Sequence, residues 1–80
     1  MLIRVTKKDI ELGEAHSCQN CPVARAIMRI VKPPFVSVAG PFARLEEMGR
    51  EIKLPPVVVC TIIAFDKGKS IKPFTFELPI

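Results

Sequence analysis

The stretch from Cys18 to Val31 constrains the fold more than any other, because its start, its apolar face and its stop agree on one element. It reads Cys-Gln-Asn-Cys-Pro-Val-Ala-Arg-Ala-Ile-Met-Arg-Ile-Val. Asn20 is expected to cap a helix, since its side-chain oxygen can accept from the free backbone N–H groups of a first turn. Pro22 falls inside that turn, where a missing N–H costs little. Val23, Ile27, Ile30 and Val31 recur at helical spacing and define one apolar face. Arg25, Arg29 and Lys32 fall on the opposite face. Pro33-Pro34 stops the segment, because the residue before a proline is pushed out of the α region. The pattern predicts a helix over 21–31.

The chain has 80 residues, the length of one domain. A chain this short buries only about 60% of its unfolded surface. Its mean hydropathy of +0.30 is high for so small a core, so some apolar surface is expected in an oligomer interface. The net charge of +4 mildly favours anionic partners, although the basic residues are scattered. Three cysteines leave one unpaired in any disulfide scheme. Met1 to Val5 is too short for the apolar core of a signal peptide, and charges follow at once. Val57 to Phe65, the longest apolar run, falls short of a membrane span. The expectation is a cytoplasmic protein with free thiols and no membrane partner.

Leu2 to Val5 reads as a short strand, with Leu2 or Ile3 plus Val5 on the buried side. Thr6 is placed to cap a helical turn or two over Lys7–Leu12, with Gly13 as its stop. Glu14 to Asn20 is a polar loop. Phe35-Val36-Ser37-Val38 alternates as a strand, broken by Gly40-Pro41. Phe42 to Leu54 fits a helical stripe less well than a hairpin turning near Glu47 to Arg50, because Gly49 interrupts it. Pro73 to Leu78 is an alternating strand with Phe74, Phe76 and Leu78 on one side.

Residues 56–66 are the contested segment. Val57-Val58-Val59-Cys60-Thr61-Ile62-Ile63 is β-branched, which propensity assigns to a strand. A proline start, a run of apolar residues and an Asp66-Lys67-Gly68 stop fit a helix equally well. Periodicity is silent where nearly every position is apolar. Five short motifs bear on the choice: Asp-Ile-x-x-Gly at Asp9–Gly13, Cys-Pro-Val-Ala-x-Ala-Ile at Cys21–Ile27, Leu54-Pro55, Phe-Asp-x-Gly at Phe65–Gly68, and Pro-Phe-x-Phe-Glu-Leu at Pro73–Leu78. Together they resemble small hypothetical proteins of tailed phages and prophages. That resemblance implies a helix over 56–66 and carries over no catalytic residue.

The expected architecture is α+β: a small, mostly antiparallel sheet with two main helices packed on one face. Chemistry is sparse. Cys18-x-x-Cys21 precedes a helix, where amide dipoles lower a thiol pKa. A zinc site would need His16, Cys18, Cys21 and Cys60, but only one Cys-x-x-Cys is present and Cys60 lies in an apolar run where buried, inert cysteine is common. Unliganded thiols, no metal and no cofactor are the expectation. A thioredoxin-like arrangement is disfavoured, because a polar loop stands where its strand belongs. Asp9, Glu11 and Glu14 read as local charges, and Glu46, Glu47 and Glu51 as a solvated cluster; neither group makes an acid–base pair. No glycine loop could cradle a phosphate.

Arg25, Arg29 and Lys32 form the most regular candidate for an anionic ligand, through two-pronged guanidinium contacts. The expectation is a non-enzymatic protein of the phage type that blocks or sequesters a host factor, such as a defence component. A nucleotide- or nucleic-acid-binding module using that basic face is the first alternative, and a zinc or redox module the second. Self-association as a two-fold dimer is expected through the terminal strand, Phe74 to Leu78.

Overall fold

The computed structural model describes residues 1–31, 36–45 and 49–79. Eight elements follow in order: β1 (Leu2–Val5), α1 (Lys7–Leu12), α2 (Pro22–Val31), β2 (Val36–Ala39), β3 (Phe42–Leu45), β4 (Arg50–Lys53), α3 (Pro56–Asp66) and β5 (Phe74–Glu77). The chain is a small α+β domain. Phe35, the first residue of the strand expected over 35–38, and 46–48 in the expected hairpin lie outside the described residues.

The strands form two antiparallel sheets rather than one. β1 pairs with β5, with Leu2 opposite Glu77 and Val5 opposite Phe74, which joins the two ends of the chain. β2, β3 and β4 form a meander, with Ala39 opposite Phe42 and Leu45 opposite Arg50. The meander closes locally, through a turn in which Gly40 takes φ +57° and another in which Gly49 takes φ +60°. Both are left-handed conformations that suit a residue without Cβ. The expected hairpin over Phe42–Leu54 is therefore present as β3–β4. α2 packs on β1 of one sheet and on β2 of the other, and α1 packs on α2. The main helix thus ties the two sheets together rather than lying on one face of a single sheet.

The core follows the expected apolar faces. Ile3, Val5, Val23, Ile27, Val36, Leu45, Leu54, Val58 and Leu78 are fully buried. Ala24 and Ala26 are buried as well, which lets α2 approach its neighbours closely. The contested segment is helical. Pro56 opens it, and the Pro55 carbonyl accepts from the N–H groups of Val58 at 3.0 Å and Val59 at 3.2 Å. β-branched residues lose at most about 0.7 kcal/mol each against alanine in a helix, so a proline start and core packing outweigh strand propensity.

One helix start differs from expectation, while Gly13 stops α1 as expected. Thr6 caps α1 as expected: its Oγ accepts from the Asp9 N–H at 3.2 Å, while Asp9 Oδ2 accepts from the Thr6 N–H at 2.9 Å. Asn20, however, does not cap α2. With Pro22 as the first helical residue, the cap falls to Cys21, whose carbonyl accepts from the Arg25 N–H at 3.0 Å and whose Sγ accepts from the Ala24 N–H at 3.4 Å. Asn20 instead accepts from the Glu14 N–H at 2.8 Å through its carbonyl. Gly13 ends α1 in an extended conformation, φ −70°, not a left-handed one. Its role is close approach: a Cβ there would stand 2.8 Å from the Asp9 carbonyl and from two atoms of the Pro22 ring. Gly13→Ala should therefore destabilise the protein by about 1–3 kcal/mol, the usual cost of overpacking, seen as a lowered melting temperature. An unchanged melting temperature would mean that α1 and α2 separate freely.

Candidate functional site

Three places hold the described residues singled out from the sequence, and the second adjoins the third, because Ile62 and Asp66 of α3 line its cleft.

The first is the basic face of α2. Arg29 is not a free surface cation. Its guanidinium bonds to Asp9 Oδ1 through Nη1, and its Nη2 donates to the Arg4 carbonyl at 2.8 Å. Asp9 is the one buried charged residue among those described, at 3% exposure. Its two oxygens serve Arg29 on one side and Thr6 on the other, from both the backbone N–H and the hydroxyl. Burial pulls the Asp9 pKa upward, but the Arg29 hydrogen bond, the Thr6 bonds and the Arg29 charge outweigh it, so the carboxyl lies below its ordinary range. Asp9 thus ties α1, β1 and α2 together. Composition gave no sign of this, since an Asp three residues after Thr6 reads as half of a capping box and nothing more.

Arg25 is half-buried beside Arg29. Its Nε is buried and has no hydrogen-bond partner among the described residues. A shallow cleft of about 270 Å³ runs between Arg25, Arg29, Asp9, Gln19, Asn20 and Met28. Lys32, the third member of the expected stripe, lies outside the described residues.

The second place is the Cys-x-x-Cys turn. Cys18 is exposed and Cys21 buried, and both are free thiols. They line one cleft of about 260 Å³ with His16, Asp66 and the end of β2. Asp66 Oδ1 accepts from the His16 N–H at 2.9 Å, and the imidazole Nδ1 stands 4.0 Å from Oδ2. His16 takes φ +59°, a left-handed conformation uncommon outside glycine. Burial pushes the Cys21 thiol pKa up; hydrogen bonds from the backbone of Ala24 and Val23 oppose this, and the charge of Asp66 adds to it. Among the described residues, no group of three or more His, Cys, Asp or Glu side chains is placed to hold a metal ion. Cys60 is exposed rather than buried and lines a different groove, so His16, Cys18, Cys21 and Cys60 do not converge as a zinc site.

The third place is α3. It is apolar all round, yet only Val58 is fully buried. Val59 and Ile62 pack partly on the core. Val57 is 68% exposed and Ile63 49% exposed, with Cys60 exposed between them. The one hydroxyl on the helix is satisfied internally, since Thr61 Oγ donates to the Val57 carbonyl at 2.8 Å. Beside this face, Val57, Cys60 and Ala64 form a groove of about 460 Å³ with Ile71, Pro73 and Phe74. No helix among the described residues is long and apolar enough to cross a membrane.

No protein-family profile, curated protein or solved structure matches the chain.

Proposed function

We propose that the chain is a small non-enzymatic accessory protein of the phage type, which binds and blocks a host protein through the exposed face of α3. The observation that carries this reading is an eleven-residue helix with no charge from Pro56 to Phe65 and a single fully buried side chain. A monomer gains nothing by holding Val57 and Ile63 in water, whereas an apolar patch flanked by polar residues is the usual form of a protein contact. Lys67 and Lys69, just past the C-terminal end of α3, and Lys72, which lines the groove beside it, are exposed. They suit a partner whose contact is apolar at the centre and acidic at the rim.

The alternative reading, an anionic-ligand or nucleic-acid module, is favoured by one observation: the buried Arg25 Nε has no hydrogen-bond partner among the described residues, and Arg25 borders a cleft. It is weakened by Arg29, whose charge is already matched by Asp9.

One capture experiment from a bacterial lysate separates the two, using wild type, Val57→Glu with Ile63→Glu, and Arg25→Glu. The α3 double variant should stay folded by circular dichroism and lose a protein that wild type retains, while Arg25→Glu keeps it. Added salt should slow that capture without abolishing it, because the contact is charged at the rim and apolar at the centre. Nucleic acid retained by wild type, lost with Arg25→Glu and released steeply by salt would instead establish the alternative.

A further inference from the structure

We propose that Cys18 and Cys21 form a dithiol–disulfide exchange site, in which Cys18 meets a small disulfide from solvent and Cys21 resolves the mixed disulfide. The proposal is independent of the α3 docking face and uses a different cleft.

The two thiols differ in the way such a pair requires. Cys18 is exposed, at the mouth of the cleft it shares with Cys21. Its turn is anchored to β2, because its carbonyl accepts from the Val38 N–H at 2.7 Å. Cys21 is 2% exposed, so a disulfide in solution reaches Cys18 first. The Cys21 sulfur already takes the Ala24 N–H at the start of α2, so the backbone there is aimed to steady a thiolate. Burial pushes the Cys21 thiol pKa up, which favours its thiol form. Asp66, which accepts from the His16 N–H, lines the same cleft.

The exchange balances in two displacements. The Cys18 thiolate bonds to one sulfur of a disulfide R–S–S–R, the R–S–S–R bond breaks, and the expelled thiolate takes up a proton equivalent to the one Cys18 lost. Cys21 then gives its proton to solvent and, as the thiolate, attacks the Cys18 sulfur. The Cys18–Cys21 bond forms, and the second thiolate leaves and is protonated. Two protein thiols are oxidised, and one small disulfide is reduced to two thiols.

The test uses the full chain carrying Cys60→Ser, equilibrated with mixtures of reduced and oxidised glutathione, quenched by alkylation and measured by intact mass and by tryptic peptides. The peptide from Asp9 to Arg25 contains both sulfurs; it should carry two alkyl groups after reducing mixtures, and none after oxidising ones, where it weighs two hydrogen masses less than the free dithiol. Added Cys21→Ser should instead collect one glutathione at Cys18, and added Cys18→Ser should show neither product. The wild-type peptide gives its answer even if a variant fails to fold. A dithiol that persists across the whole range, or an adduct no more abundant with Cys21→Ser than with Cys18→Ser, overturns the proposal.

Discussion

Arg29→Met should cost the fold about 3–5 kcal/mol, a large share of the roughly 5–15 kcal/mol that holds a domain together. The cost arises at the partner. Arg29 itself is 45% exposed in its side chain, but Asp9 is 4% exposed, and removal of the guanidinium leaves a buried carboxylate with only the Thr6 donors. The reverse change is milder. Asp9→Asn keeps an acceptor for the α1 cap and lets Arg29 turn into water, so a loss of about 1–2 kcal/mol is expected. Urea unfolding followed by circular dichroism reads both. Losses below about 0.5 kcal/mol for each would make the pair an ordinary surface contact. For the same reason Arg29→Glu, which sets a carboxylate against Asp9, should unfold the domain, and only Arg25→Glu is a clean probe of ligand binding on that face.

The same pair sets an acid limit. The folded pKa of Asp9 lies below its ordinary 3.8. A depressed carboxylate pKa contributes stability that is complete above the unfolded value and is lost as pH falls through the folded one. Wild type should therefore lose part of its urea midpoint below about pH 4. In Arg29→Met the lowering influence of the guanidinium is gone and burial pulls the other way. A carboxyl with a raised pKa is relieved by protonation, so the gap between variant and wild type should narrow as pH falls. A gap that widens in acid would mean that Asp9 is not held by Arg29.

Much of the fold was legible because several segments carry agreeing signals. α2 has a proline at its start and paired prolines beyond its end, and β5 alternates cleanly from Phe74 to Leu78. The division into two sheets was not legible, since pairing of β1 with β5 depends on how the chain ends meet and not on any local pattern. The site was less legible than the fold. A helical wheel places Arg25 and Arg29 opposite the apolar face, but it cannot show that α1 stands against that side and presents Asp9. The exposure of Cys60 was hidden for a related reason: in a helix that is apolar at nearly every position, composition does not say which side meets the core. The shared cleft of Cys18, Cys21, His16 and Asp66 joins a loop to a helix end fifty residues away in sequence, beyond the reach of any spacing rule.

That unresolved side of α3 can be measured by comparing two isoleucines. Ile27 is 0% exposed on α2 and Ile63 is 49% exposed on α3. Ile27→Ala should cost about 2–5 kcal/mol, through lost burial and the cavity left behind. Ile63→Ala removes the same atoms from a side chain half in water and should shift stability by about 0.5 kcal/mol or less in the isolated chain. The contrast decides how α3 is used. If the face is open until a host protein covers it, the small Ile63 effect should hold at every protein concentration. If two copies already cover it, or pair through β5 and bring it against a neighbour, Ile63→Ala should become more costly as concentration rises, because association stabilises the folded state by mass action. A large, concentration-independent loss at Ile63 would place that side chain in the monomer's own core and remove α3 as the docking face.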